Sequence, residues 1–299
     1  AEKTYLPMLS GFASILTNTV LNYAFIFGKL GCPAMGVRGA ALATVISAAV
    51  SMGMNMAFSY GMHLPAGARP SEWLRQEKGF AGRFSKTVVP VIFNEGLWGV
   101  GTTMYSVFYG RMGDAAVATM GVCTTINDLV WVAIFALMNA TAIIVGKALG
   151  AGDRERAYLY AKRMMAGAVA AGVALGLLVI AVRWPLVNIF SGLSYPVREK
   201  AQFILLLGGM TIWFRAFNTI NIVGVLRSGG DTLFSLCLDV GTLWLVGVTS
   251  TGLAALVFHW PLEWVYACTF LEEAVKMAVG IPHFKKKQWM NVLTEQPQG

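Results

Sequence analysis

Residues 116–146 read AVATMGVCTTINDLVWVAIFALMNATAIIVG, a long run whose single charged residue is Asp128. A helix needs about 20 apolar residues to cross the hydrocarbon core of a bilayer, and this run exceeds that length. Seven more runs of the same kind lie around it: Leu6–Gly28, Gly39–Gly61, Thr87–Gly110, Met164–Val182, Ala201–Leu226, Thr232–Val257 and Trp264–Phe284. With Ala116–Gly146 they make eight. Most are rich in Ala, Gly, Leu and Val, and small residues let helices approach closely in lipid. Gly172 and Gly176 form one GxxxG step. The pattern predicts an all-α membrane protein with about eight transmembrane helices.

Composition agrees. Of 299 residues, 56% are hydrophobic and only 13% are charged, against roughly 25% charged in soluble domains. A surface of ordinary size could not be covered for water with so few charges. The net charge of +8 raises nucleic acid as a partner, but the bases sit in loops between apolar runs and no nucleic-acid motif is present. The expected partner is the lipid bilayer itself. Cys32, Cys123, Cys237 and Cys268 are far apart, without a CxxC pair, and read as small packing residues. His63, His259 and His283 flank the runs and read as interfacial residues, so neither a metal nor a cofactor is expected. The run Leu6–Gly28 is too long for the apolar part of a cleavable signal.

Orientation follows from the distribution of Lys and Arg. Segments 1–5, 62–86, 147–163, 227–231 and 285–299 share one side and carry 15 bases, whereas loops 29–38, 111–115, 183–200 and 258–263 carry 6. Both ends are therefore expected in the cytoplasm. Residues 62–86, with Pro65 and Pro70, form the longest polar stretch. They are expected to link two bundles, and SEWLRQEKGFAGRF (71–84) is expected to lie along the membrane surface as an amphipathic helix.

Ionisable residues inside spans are costly, roughly 2.5–3.5 kcal/mol each at mid-helix on insertion scales, and are functional suspects for that reason. Seven occur: Glu95, Asp128, Arg215, Asp239, Glu272, Glu273 and Lys276. At about 1.5 Å per residue, Glu95 is about 12 Å and Asp239 about 10 Å from the cytoplasmic ends of their spans. Asp128 and Arg215 are near the midplane. Five acids face two bases, so three carboxylates lack a cationic partner and must be protonated or hold a cation. A carrier driven by protons or sodium needs such groups. Each has a structural reading as well. Glu272 or Glu273 can pair with Lys276 along the helix, Asp239 can cap or pair, Asp128 can bond a neighbouring helix, and Arg215 can partner one acid. Glu95 stands out because it lies in VVPVIFNEGLWGVGTT (88–103), where Pro90 loosens the preceding turn. Gly96, Gly99 and Gly101 add softness there.

Three stretches resemble one family: NTVLNYAFIFGKLGCPAMGVRGAALATVIS (18–47), ALMNATAIIVGKALGAGDRERA (136–157), and GVLRSGGDT (224–232) followed by LDVGTLWLVGV. With EEAVK near the end, they resemble the multidrug and toxic compound extrusion (MATE) family of cation-coupled antiporters. The resemblance implies two six-helix lobes related by a pseudo-twofold axis. Residues 1–61 would be the last two helices of the N-lobe, 62–86 the interlobe linker, 87–284 a complete C-lobe of six helices, and 285–299 a cytoplasmic tail. The first four N-lobe helices, with the acid of the first helix, would be absent, as in a truncated product. An echo at an offset of 228, pairing Thr4 with Thr232, Pro33 with Pro261 and Val37 with Val265, fits an internal repeat.

By that resemblance Glu95 matches the family's acid on the seventh helix. The acid of the tenth helix has no counterpart, because the region reads RAFNTIN with Arg215 and Asn218. Asp239 resembles an acid of one bacterial subgroup, and Gly229, Gly230 and Asp231 make an interhelical turn. The implied function is export of amphipathic, cationic organic compounds in exchange for H⁺ or Na⁺, by a monomer in the plasma membrane. Glu95, Asp128 and Asp239 would serve coupling, and Arg215, Glu272, Glu273 and Lys276 would be structural ion partners. Trp98, Tyr105, Trp131 and Asn218 would contact cargo; the aromatics can offer faces to a cation or simply pack. Two alternatives stay open: a flippase of lipid-linked or polysaccharide cargo in the same superfamily, and a remnant that transports nothing. A membrane-embedded enzyme is disfavoured, since no HExxH, GxSxG or His–Asp pair falls within a span.

Overall fold

Each of the eight apolar runs is a helix. The computed structural model describes residues 5–62, 80–190 and 192–291. Its helices are α1 (Tyr5–Phe27), α2 (Val37–Gly61), α3 (Phe80–Arg111), α4 (Asp114–Gly150), α5 (Arg154–Asn188), α6 (Tyr195–Arg227), α7 (Thr232–Val257) and α8 (Leu262–Lys285). Six of them are long and apolar enough to cross a membrane: α1, α2, α4, α5, α6 and α7. The other two, α3 and α8, carry Glu95 and the Glu272–Glu273–Lys276 group. Among the described residues there is no strand. Of the expected surface helix, 71–79 lie outside the described residues, and 80–84 instead open α3. Residues 1–4 and 292–299 also lie outside them.

The chain divides into two compact units, Ala1–Ala81 and Gly82–Gly299. The first is the α1–α2 hairpin. Its antiparallel helices are joined by polar contacts typical of helices in lipid: Ser14 Oγ donates to the Ser47 carbonyl (2.9 Å) and Asn18 Nδ2 to Ser47 Oγ (3.3 Å). A side chain at Gly39 would strike the backbone of Phe25. The turn between them uses positive φ at Gly28, Gly31 and Gly36, conformations that glycine adopts without steric cost. The glycine spacing of residues 18–47 is thus the spacing of a tight helical hairpin.

The second unit holds α3 to α8. Helices extend past their apolar runs because the ends are capped. At 150–153, α4 stops, Gly152 takes φ 77, and the Asp153 carboxylate accepts from the Arg156 amide (3.0 Å) to start α5, the usual logic of a C-terminal glycine followed by an acidic N-cap. α5 and α6 meet at glycine: a β-carbon on Gly172 or Gly176 would collide with the backbone of Trp213 or Gly209. Three stretches are wound as π-helix, Ile220–Arg227 in α6 and Leu243–Val248 and Leu253–Val257 in α7. α3 runs unbroken through Pro90, whose missing N–H leaves the Lys86 carbonyl without its usual partner in the helix ladder.

Two apolar cores fill this unit. One gathers Phe108, Cys123, Ile204, Leu205, Leu243, Val265 and Tyr266, and the other Val145, Ala161, Ile220, Val225, Leu238, Phe284 and Trp289. On α7 the switch between cores falls between Leu238 and Leu243, and on α8 between Tyr266 and Phe284. Asp239, Glu272 and Lys276 occupy those gaps. The outer surface stays apolar, with Leu129, Val132, Leu177 and Leu245 exposed. The stretch 286–291 folds back onto the unit: Trp289 is fully buried, and the Asn291 amide donates to the Gly229 carbonyl (2.9 Å).

Candidate functional site

Between the two cores runs a chain of charged side chains drawn from four helices. It starts on α3, where Asn94 is buried and Glu95 is 61% exposed at its side chain. Arg227, the last residue of α6, reaches both: Nη1 lies 2.6 Å from Glu95 Oε1, and Nη2 donates to Asn94 Oδ1 (2.7 Å). Nη2 also faces Asp239 Oδ2 on α7 at 3.9 Å. On the other side of Asp239, Lys276 Nζ of α8 lies 2.7 Å from Oδ1 and 2.5 Å from Glu272 Oε1, one turn earlier on the same helix. The Tyr105 hydroxyl of α3 closes the chain by donating to Glu272 Oε2 (2.7 Å). Apart from Glu95, every charged member is nearly withdrawn from solvent.

A second, smaller group adjoins it. Arg215 of α6 faces Glu273 of α8 at 3.8 Å and donates to Thr269 Oγ1 (3.3 Å). Asn218 donates to both the carbonyl and the carboxylate of Glu273, each at 2.8 Å. The Arg215 guanidinium lies 5.9 Å from the Tyr266 ring and 5.7 Å from the Phe270 ring, within reach of the ring quadrupole. Beside it is a cavity of about 10 Å³ lined by Asn127, Trp131, Arg215 and Tyr266 among others. It is water-sized and far too small for an organic cargo.

The network therefore includes Glu95, Asp239, Glu272, Lys276 and Tyr105, while Arg215, Glu273 and Asn218 form the adjoining group. Asp128 is apart from both, on the exposed face of α4, with no charged or hydrogen-bonded partner among the described residues. Trp98 is on an exposed face of α3, and Trp131 is half-buried at the small cavity. No group of His, Cys, Asp and Glu suited to a metal occurs among the described residues.

Three residues of the site escaped the sequence reading. Arg227 counts there as a loop base, because the apolar run stops at Leu226. The structure corrects that count: the interior holds three bases, not two. The signal was available in helix geometry. Cα–Cβ bonds tilt toward the helix N-terminus, so a long side chain on the last residue of a span points back into the bundle. Asn94, beside Glu95, was missed too; its amide donates to the Ser235 carbonyl at 3.5 Å and its oxygen positions Arg227. Gly247, within a π-stretch, is the third: any β-carbon there would strike the Tyr105 hydroxyl and the Glu272 carboxylate.

Apolar helices of membrane-crossing length, packed around buried ion pairs, define a polytopic helical membrane protein. The chain belongs to the MatE family, whose model matches residues 90–248. Members of this family are transporters, not enzymes. Over 247 residues the chain is 25% identical to "Probable multidrug resistance protein NorM" of Thermotoga maritima, covering 82% of this chain and 52% of that protein. Over 268 residues it is 28% identical to multidrug resistance protein MdtK of Yersinia pseudotuberculosis, covering 85% and 56%. A crystal structure of MATE in complex with MaL6 shares the fold with a TM-score of 0.80 at 17% identity, over 97% of this chain and 63% of that one. The chain thus spans about half the length of the curated relatives it matches.

Proposed function

We propose that the chain is part of a secondary active antiporter that exports amphipathic, cationic organic compounds in exchange for H⁺ or Na⁺. In this reading 1–61 supply the last two helices of an N-lobe, 62–86 the linker, 87–284 the C-lobe and 285–299 a cytoplasmic tail, in a monomer with both ends in the cytoplasm of a plasma-membrane protein. The multidrug resistance names of two relatives support the cargo class.

The observation that carries the reading is where the network's charge is unbalanced. Among the described residues, buried Asp239 and Glu272 are balanced by Arg227 and Lys276, and the adjoining Arg215–Glu273 pair is neutral. The one excess negative charge falls at Glu95, whose side chain is 61% exposed and which shares Arg227 with Asp239. A carboxylate in excess at the accessible end of a balanced, buried network is where a proton or a cation can load. Glu95, at its exposed end, is the point of entry. Loading Glu95 weakens its hold on Arg227 and shifts that guanidinium toward Asp239, which lies on a different helix. Ion occupancy at one end thereby changes the contacts between α3, α6 and α7, a differential interaction of the kind an alternating carrier needs. Asp128 is the third coupling carboxylate of this reading, reached from the exposed face of α4. Trp98 and Trp131 offer aromatic faces to cationic cargo, while Tyr105 and Asn218 would meet it only through the charged groups they bond.

The flippase reading calls for unpaired basic groups facing the cargo. Arg215, Arg227 and Lys276 are each matched by a carboxylate, which favours the antiporter.

Ethidium accumulation tests the proposal, in cells lacking their own exporters and expressing the gene's complete reading frame with and without Glu95→Gln. Wild type should lower accumulation, and the variant should lose at least about tenfold in initial efflux rate, the scale of a lost charge interaction worth 1.4 kcal/mol or more. Equal exclusion by both would remove Glu95 from coupling.

A further inference from the structure

We infer that the Lys276 ammonium permanently occupies a monovalent-cation position between Asp239 and Glu272, so that this cluster exchanges protons and shuts out Na⁺. The inference rests on the coupling role proposed above and names its ion.

Three features support it. First, carboxylates from two helices close on one point: Asp239 Oδ1 at 2.7 Å and Glu272 Oε1 at 2.5 Å surround Lys276 Nζ, as they would surround a bare cation. Second, the far sides of both carboxylates are already held. Glu272 Oε2 accepts from Tyr105, and Asp239 Oδ2 faces Arg227. The pair is therefore braced around the ammonium rather than drawn together by it alone. Third, the site is closed, with only 6% of the Lys276 side chain and 7% of that of Glu272 exposed. A sodium ion would have to enter beside a tethered positive charge, with Arg227 on the next helix and Arg215 behind Glu273, and would find the inner carboxylate oxygens engaged.

A proton meets none of these obstacles. It adds to a carboxylate oxygen without needing a coordination shell. The charged and titratable groups around Lys276 are Asp239 on α7, Glu272 and Glu273 on α8, Arg215 and Arg227 on α6, and Tyr105 on α3, with Glu95 beyond Arg227. Protonation of Glu272 leaves the ammonium to Asp239, and protonation of Asp239 leaves it to Glu272. Only the second event loosens a contact between helices, because Glu272 and Lys276 share α8 whereas Asp239 lies on α7.

The test is equilibrium binding of radioactive Na⁺ to the purified full chain in detergent. The variants are Lys276→Gln, Lys276→Arg, Asp239→Asn, and Lys276→Gln combined with Asp239→Asn. Wild type and Lys276→Arg should show no saturable binding. Lys276→Gln should show saturable Na⁺ binding at least about tenfold tighter than the detection limit that bounds wild type, a difference of 1.4 kcal/mol or more, and the added Asp239→Asn should abolish that binding. Saturable binding by wild type that Asp239→Asn removes would overturn the inference, as would a monodisperse, helical Lys276→Gln that binds no sodium. If Lys276→Gln does not fold, wild type against Asp239→Asn decides alone: no sodium binding by wild type supports the inference, and Asp239-dependent binding overturns it. The readout is binding, not export. Failure to export ethidium would therefore sink the antiporter reading and leave the plugged site standing, while sodium bound by wild type would do the reverse.

Discussion

A β-carbon at Gly247 would stand on the Tyr105 hydroxyl and the Glu272 carboxylate at once, so the absence of a side chain on α7 is what lets α3 and α8 exchange a hydrogen bond across it. Gly247→Ala should destabilise the protein by about 1–3 kcal/mol, the usual range for overfilling a packed interior. Thermal unfolding in detergent would show it. Because the methyl competes with the hydroxyl for space, Tyr105→Phe should cost less in the Gly247→Ala background than alone; purely additive losses would show that the two residues do not interact. The charged residues of this site could be found in the sequence for a simple reason: a charge within an apolar run is visible. The pairing of Lys276 with one of its two helix neighbours could be read as well, but which acid goes to which base could not. Glu272 and Glu273 are neighbours on one helix, yet one turns to Lys276 and the other to Arg215 and Asn218. That division depends on where α6 and α7 sit, which no local pattern encodes. Arg227 was hidden because the apolar run ends one residue before it, although its helix does not.

At the scale of elements, α5 and α6 approach closely through Gly172 and Gly176. Larger residues there must push the two helices apart, whereas Gly167, on the same helix, faces open space. Gly176→Leu should cost about 1–3 kcal/mol as an overpacking change, and Gly167→Leu should change stability far less. Equal effects of the two on the unfolding temperature would contradict the close contact. All eight helices were legible, since apolar runs of some 20 residues have few other folds open to them. Their ends were less so. The run Met164–Val182 belongs to a helix spanning Arg154–Asn188, because caps such as Asp153 and charged turns carry helices beyond the apolar region. The π-wound stretches left no mark in the hydrophobic pattern.

For the molecule as a whole, charge asymmetry and topology bear on each other. Fifteen Lys and Arg fall on the side assigned to the cytoplasm and six on the other, and the rule behind that assignment counts bases in short loops. Counting Arg227 as an interior residue leaves the bias intact. Green fluorescent protein fused after Gly299 should fluoresce, and alkaline phosphatase fused at the same point should be inactive. The opposite pair of results would invert the whole topology. Such a fusion has to leave the segment through Asn291 in place, because Trp289 is buried against Gly229. The expected tail therefore begins with residues that belong to the folded unit.

The π-wound segments bear on how this chain is to be compared with its kin. Each i→i+5 turn takes in one residue more than the i→i+4 turn it replaces, so a relative with a plain α-helix at Ile220–Arg227 or Leu243–Val248 would be shorter by a residue inside the span. Alignments that confine gaps to loops would then rotate every later position by about 100° around the helix axis. They would pair Arg227 with a neighbour of its true equivalent, and a shared charge would be scored as a difference.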